Sequence, residues 1–372
     1  MLQQVTAQAA GRINIIGEHT DYNKGYVLPA AINKRSIATI HRNGTPSTAR
    51  FTAQNLKESY EFDLSNFDPI APGWQNYVMG VVHELQALGG PIEGFDCSFE
   101  GDVPIGGGMS SSAALECSIA VGLNKLFDLQ LDDWQIIRAA QAAEHNFVGI
   151  KCGIMDQFSS VKGKENQVML LDCHSLDYQY FPFELGKYQL LLLNTNVSHS
   201  LASTAYNDRR AACEEGVQLL QKKHSNIQSL RDVSVQQLMQ AKDLLSTSVY
   251  NKCKHVILEN ERVLSATEAL LAGNFSKLGE LIYQSHFSLQ YDYEVSCPEL
   301  DFLVQQTFDK PFILGSRMMG GGFGGCTLNI IEKENTDTFV NQTKQAYQTK
   351  FGLELSPYLV SIEDGAKVLE FQ

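Results

Sequence analysis

Apolar and polar residues alternate with a period of two over residues 36–41, 49–54 and 59–63, and that spacing predicts three strands. A period near four takes over at 74–88, where Val78, Val81, Val82, Leu85 and Leu88 share one side of an amphipathic helix. A strand follows at 95–100, then a helix along the apolar run 113–123. A second helix covers 132–148, capped by Asp132 and striped by Ile136, Ala140, Ala143 and Phe147. Near the start, Ile13, Ile15 and Ile16 between Gly11 and Gly17 predict a short strand, and the polar residues up to Gly25 predict a loop. Apolar runs at 167–173 and 189–194 read as buried strands. The border between two domains, 1–185 and 186–372, falls between them. Beyond it the pattern predicts a long helix from 203, an irregular stretch at 225–245 and helices at 250–272 and 275–290. A glycine-rich turn at 316–331 enters a strand, and a helix at 335–351 and a strand at 357–362 follow.

The stretch 102–124 carries more than patterning. Pro104 sets up a turn, Gly106, Gly107 and Gly108 follow in direct succession, and after Met109 come Ser110, Ser111 and Ser112 at the head of the apolar helical run. A glycine loop feeding a helix N-terminus gathers unpaired N–H groups and the positive end of the helix dipole, a combination that binds phosphate. The hydroxyls offer further phosphate contacts or a Mg²⁺ ligand. This is not a Walker A loop, because no Gly-Lys-Ser/Thr follows, nor a dinucleotide fingerprint, because the glycines are consecutive. The plain alternative is a flexible turn before a buried helix.

Glu18, His19, Thr20 and Asp21 occupy successive positions after the first predicted strand. Donors and acceptors so close together suit the vicinal hydroxyls of a sugar. The alternative is a solvated turn with Asp21 bonded to its own backbone. Glu144 borders a helical stripe: turned inward it needs a partner such as a metal ion, turned outward it is an ordinary surface glutamate. Gly153 breaks the chain, and Asp156 then falls in the first turn of a short helix. The dipole alone explains an aspartate there; a carboxylate facing an acceptor hydroxyl is the other reading. Tyr206 either reaches a site between the domains or packs amphipathically, and Arg209 and Arg210 have Glu214 at helical spacing. Five glycines around Phe323 imply close backbone approach, to a ligand or to the first glycine loop.

Composition narrows the class. A chain of 372 residues is long for one core, and 44% hydrophobic with 19% charged residues is ordinary for a globular enzyme. A net charge of −13 argues against a nucleic-acid surface. The eight cysteines form no C-x-x-C pair, and a reduced, cytoplasmic protein is the simplest account. The N-terminal residues show neither a basic region nor a long apolar run, so no leader or membrane span is expected.

Taken in order, segments 11–22, 104–116 and 320–326 resemble the three motifs of the GHMP small-molecule kinases. The first, with Arg12, Glu18-His19-Thr20-Asp21 and Tyr22, is similar to the signature of the galactokinases. Residues 152–159, 206–213 and 292–301 look like the same family, so the resemblance spans nearly the whole chain. It implies an α+β fold of two domains, the first like ribosomal S5 domain 2 and the second ferredoxin-like, with the site between them. It also implies transfer of the ATP γ-phosphate to the anomeric hydroxyl of D-galactose, with Mg²⁺, in a monomer.

Carried over by position, Arg12 and Asp156 correspond to the family's catalytic pair, and Glu18, His19, Asp21, Gly153 and Tyr206 to sugar contacts, with Thr20 in the same run. Residues 106–112 correspond to the ATP phosphate loop, and Ser112 and Glu144 to the Mg²⁺ ligands. Alternatives within the resemblance are an N-acetylgalactosamine kinase and a non-catalytic sugar and nucleotide sensor. Some positions depart from the family pattern: Ala10 stands where a proline is usual, Ala53 where a serine is frequent, and Gln290-Tyr291 where an Arg-Asp pair is common. The segment before the first motif is short, so an edge strand or helix is expected to be missing or truncated.

Overall fold

The computed structural model describes residues 2–198 and 202–372. Along the chain run β1 (Gln4–Asn14), β2 (Tyr26–Val27), β3 (Pro29–Arg42), β4 (Thr48–Ala53), β5 (Glu58–Asp63), α1 (Gln75–Ala87) and β6 (Phe95–Gly101). Next come α2 (Ser111–Phe127), α3 (Asp133–Ala143), α4 (Met155–Lys162), β7 (Gln167–Asp172), β8 (Tyr178–Pro182) and β9 (Tyr188–Ser198). The remainder is α5 (Ala202–Gln221), α6 (Val235–Gln240), α7 (Thr247–Leu271), α8 (Phe275–Ser288), α9 (Pro298–Gln305), β10 (Ile313–Met318), β11 (Gly324–Glu332), α10 (Thr336–Phe351), β12 (Ser356–Val360) and β13 (Lys367–Phe371).

The first sheet has the order β13-β1-β3-β6-β4-β5, antiparallel except for the parallel pair β4 and β6. Helix α2 lies across β1 and β3. Small residues allow it close: a β-carbon on Gly122 would lie 2.7 Å from Ile40 Cδ1. The core between them joins Val5, Ala9, Ala38 and Ile40 to Ile119, Ala120 and Leu123. The second sheet, β10-β11-β9-β12, is antiparallel and carries α8 against β10. There a β-carbon on Gly279 would lie 1.9 Å from the Leu314 carbonyl. A small sheet, β2-β7-β8, sits beside them.

Several elements differ from the pattern reading. The first strand begins at Gln4 and ends at Asn14, so Ile15 and Ile16 are buried beyond its end. Its Ala-rich first half has weak strand propensity and forms because β3 and β13 pair with it on both sides. Gly11 does not bound the strand; it sits in a register shift between Ala10 and Arg12. The 132–148 helix is α-helical only through Ala143, with the expected Asp132 cap, and closes in a wider π turn at Glu144–Val148. The pattern missed β8, α9, β10 and β13. Strand β10 holds buried Ser316 and Arg317 and so does not read as an apolar run.

The edge expected to be missing is filled from the other end of the chain. Val5 pairs with Phe371 and Gln8 with Lys367, so β13 supplies the edge of the first sheet. A division at 185/186 therefore leaves this last strand on the sheet of the first part.

Candidate active site

The end of β1 delivers Arg12 beside the glycine loop. The Arg12 N–H donates to the Met109 carbonyl at 3.0 Å, and a β-carbon on Gly11 would lie 2.8 Å from that same oxygen. The bare backbone at 11 is what lets strand and loop touch. The loop uses left-handed backbone at Gly106, Gly108 and Ser110. Ser110 occupies the N-cap of α2 without capping it. Its hydroxyl donates instead to Oδ2 of Asp156.

Asp156 stands in the first turn of α4, as expected. Arg12 forks onto it, Nε to Oδ1 and Nη2 to Oδ2, each at 2.8 Å. The same guanidinium donates through Nη1 to the Gly108 carbonyl. One cation thus ties the acid to the glycine loop. Burial works against the charge of Arg12, and Asp156 and Glu18 more than offset it, so its pKa is raised.

A cleft of about 130 Å³ opens beside this pair. Asp21 lines it, its Oδ1 accepting from the Tyr22 N–H at 2.9 Å. Burial, and then the charge of Asp156, push the Asp21 carboxyl up to about 7. Gly153 makes room for this group, because a β-carbon there would overlap Asp21. His19 also faces the cleft, with a left-handed backbone at φ 63° and Nδ1 2.7 Å from the Tyr22 hydroxyl. Among the described residues its Nε2 is buried and has no hydrogen-bond partner. Burial, assisted by His255, lowers it to about 3, so the ring is neutral. Tyr206, from α5, flanks it with ring centroids 5.4 Å apart.

Glu18 contacts the cleft but is also held from the opposite domain. Its Oε1 accepts from Arg317 Nη2 at 3.0 Å and from the Gly320 N–H at 2.9 Å. Thr20 turns away from the cleft, its hydroxyl donating to the carbonyls of Gly17 and Tyr26 at 2.9 and 2.6 Å. Met109 is a core side chain, and its carbonyl is the one that accepts from the Arg12 N–H.

Glu144 faces inward, 4% exposed, and accepts from the Ser112 hydroxyl at 2.9 Å. Burial and then Asp156 raise its carboxyl to about 7. Gln157 bridges it to a second buried carboxyl, with Nε2 3.2 Å from Glu144 and 3.3 Å from Glu116. Burial and then Glu144 push the acid of Glu116 well up. Among the described residues no group of three or more His, Cys, Asp or Glu could hold a metal. The Ser112–Glu144 pair is a smaller oxygen set, and it fits Mg²⁺, which keeps most of its shell for water and phosphate.

The second glycine-rich turn packs on the first. A β-carbon on Gly108 would lie 2.9 Å from the Met319 carbonyl, and one on Gly320 would lie 3.1 Å from Gly108 Cα. Close approach to the first loop, one of the two readings open in the sequence, is observed, and Gly320 and Gly321 also line the cleft. Arg209 donates to the carbonyls of Tyr293 and Glu294, while Arg210 pairs with Glu214 at 2.9 Å. Sequence reasoning gave no role to Arg317, Glu116 or Gln157. A charged residue inside an apolar run was the available signal for Glu116 in 113–123; Arg317 lay within what read as a turn.

A β-strand that hands a cation to a glycine loop, a helix behind that loop and a second domain whose own glycine turn closes on it define the GHMP kinase architecture. Residues 76–164 match the GHMP kinases N terminal domain, residues 266–347 the GHMP kinases C terminal domain, and residues 2–42 the galactokinase galactose-binding signature. The galactokinase of Clostridium acetobutylicum is 39% identical, over 96% of this chain and 92% of its own. That of Thermotoga neapolitana is also 39% identical, over 97% of this chain and 99% of its own. The chain belongs to the galactokinase family of the GHMP kinases.

Among solved structures, Lactococcus lactis galactokinase complexed with galactose superposes with a TM-score of 0.94 at 34% identity, covering 98% of this chain and 95% of its own. A Methanococcus jannaschii mevalonate kinase, at 16% identity and a TM-score of 0.70, covers 98% of this chain and 99% of its own and shares the fold. The two-domain α+β class implied by the sequence resemblance is the class observed.

Proposed function

We propose that this chain is a galactokinase, transferring the γ-phosphate of ATP to the anomeric hydroxyl of D-galactose to give galactose 1-phosphate and ADP. The observation that carries the reading is the forked Arg12–Asp156 pair. It stands between the glycine loop and the cleft that Asp21 and His19 line. Phosphoryl transfer needs alignment and charge neutralisation more than covalent help. The pair supplies both at the point where donor and acceptor would meet.

In this reading the amides of residues 106–112 hold the phosphates at the head of α2. Asp156 faces the acceptor hydroxyl. With both its oxygens engaged by Arg12, it orients the hydroxyl and takes the proton late. Arg12 offsets charge in the transition state. Asp21, Glu18 and His19 bond the sugar hydroxyls, with Tyr206 against the ring. Thr20 and Gly153 act on the sugar through the loop shape and through Asp21. Ser112 and Glu144 would hold Mg²⁺, which when bound with ATP supplies charge neutralisation at the phosphates. The raised carboxyl of Glu144 supports this: a buried acid near a phosphate site gains its charge when a cation arrives.

The reading takes the protein as a monomer that binds both substrates in this cleft. The eight cysteines are unpaired, which fits a reducing, cytoplasmic setting. Among the described residues no helix is long and apolar enough to cross a membrane. The test is an ADP-release assay across D-galactose, N-acetylgalactosamine, D-glucose and mevalonate. Galactose should give the highest kcat/KM by a wide margin; equal turnover with glucose, or none with galactose, refutes the reading.

A further inference from the structure

The loop from Gly17 to Gly25 belongs to the first part of the sequence, yet many of its fixed points come from helix α7 in the second. His255 Nε2 lies 3.1 Å from the Glu18 carbonyl. Glu259 Oε1 accepts from the Gly17 N–H at 3.0 Å, and Asn260 Oδ1 accepts from the Tyr26 N–H at 2.8 Å. His255 and Glu259 lie at i and i+4, one above the other on the helix, and Asn260 follows Glu259 directly. All three are buried, with exposures of 0, 0 and 7%.

A helix face that only packed would be apolar, because burying a carboxylate is costly unless it is paired and hydrogen-bonded. Here the carboxylate is paired through both oxygens. Arg262 Nε and the Ser285 hydroxyl each donate to Glu259 at 2.5 Å. Burial disfavours its charge, but Arg262 and His255 outweigh that and hold the carboxyl at about 2. Burial also keeps the His255 imidazole neutral, lowered to about 4. Its one proton then sits on Nε2 to meet the Glu18 carbonyl, while Nδ1, 2.9 Å from the Ser288 hydroxyl, accepts.

What these contacts hold is strained. His19 is a non-glycine residue in left-handed backbone, a conformation that persists only where the surroundings over-determine it. The peptide entering that turn is the one whose carbonyl His255 grips. Tyr293 fills the gap between the two rings, its centroid 4.6 Å from that of His255 and 4.7 Å from that of His19.

We propose that His255, Glu259 and Asn260 of α7 form a positioning element for the sugar loop, setting sugar affinity while leaving the nucleotide side untouched. It rests on the reading of that loop as the sugar site, so the test includes a measurement that needs no sugar.

The experiment uses the full chain with His255→Phe, which keeps a ring against Tyr293 and removes the donor. His255→Gln, whose amide nitrogen falls near the position of Nε2, restores it. The Phe variant should raise the galactose KM about tenfold, equivalent to about 1.4 kcal/mol, and leave the ATP KM within about twofold. Amides of residues 17–26 should exchange faster without any ligand, and the Gln variant should reverse both effects. Unchanged galactose KM and loop exchange in the Phe variant overturn the proposal. So does an equal rise in both KM values with faster exchange throughout the chain, or a failure of the Gln variant to rescue. Loop exchange that responds as stated in a parent protein inactive on galactose supports the positioning and refutes the sugar assignment alone.

Discussion

A β-carbon on Gly153 would lie 1.9 Å from Oδ2 of Asp21. The carboxylate can therefore stand in the cleft only because residue 153 has no side chain. Gly153→Ala should displace Asp21 and raise the galactose KM by at least about 30-fold, the loss of roughly 2 kcal/mol from a buried polar contact. The ATP KM should stay within about twofold. Steady-state kinetics with each substrate varied checks this, and an unchanged galactose KM would show that Asp21 is not a sugar ligand.

Arg12 and Asp156 act on one another through two parallel hydrogen bonds. Asp156→Asn keeps the shape but removes the charge. It should lower kcat by roughly 10²–10⁴-fold if the acid works on the acceptor hydroxyl. Galactose binding, followed by calorimetry, should persist. Turnover close to the parent level would remove Asp156 from the chemistry.

Two carboxyls raised by burial make stability depend on pH. Asp21 moves from 3.8 and Glu144 from 4.5, each to about 7. The folded protein therefore binds more protons than the unfolded chain between those limits. Their favourable contribution is complete below about 4 and is lost as pH rises through about 7. The ligand-free Tm should fall over that window for this part of the titration. Asp21→Asn and Glu144→Gln should each flatten the fall and melt higher than the parent above pH 7, while losing activity. A parent Tm that rises across the window, with no difference in either variant, refutes the assignment.

Glu144 gaining its charge also predicts a proton released on Mg²⁺–ATP binding. Calorimetry at about pH 6.5 in buffers of different ionisation enthalpy measures it. Release should be visible in the parent and reduced in Glu144→Gln. Equal release in both would detach Glu144 from the metal.

The packing of the two glycine turns gives a stability test. Gly108 has φ 72° and faces the Met319 carbonyl. Gly108→Ala combines a left-handed β-carbon, costing about 1–2 kcal/mol, with a backbone clash. Urea unfolding should show a loss of at least that size. A loss below about 0.5 kcal/mol would mean that the turns separate freely.

Much of this protein was legible without coordinates. Period-two patterns located β4, β5, β6 and part of β3, and helical stripes located α1 and α3, while β1 was placed too late and β13 was missed. Local chemistry accounts for this: alternation, caps and glycine turns act over a few residues. The motifs at 11–22, 104–116 and 320–326 likewise carried the family, because each is a short run whose residue types suffice to recognise it.

Tertiary structure alone decided what lies across the chain from what. Nothing in residues 367–371 marks them as the edge partner of β1, since pairing is a long-range choice made by the sheet. The sequence left Glu144 as either buried or exposed, and the π turn at 144–148 together with Gln157 settled it inward. The same holds for His255 and Arg317, polar groups buried beneath the loop from Gly17 to Gly25. A buried polar residue is tolerable only when its partner is present, and that partner lies hundreds of positions away.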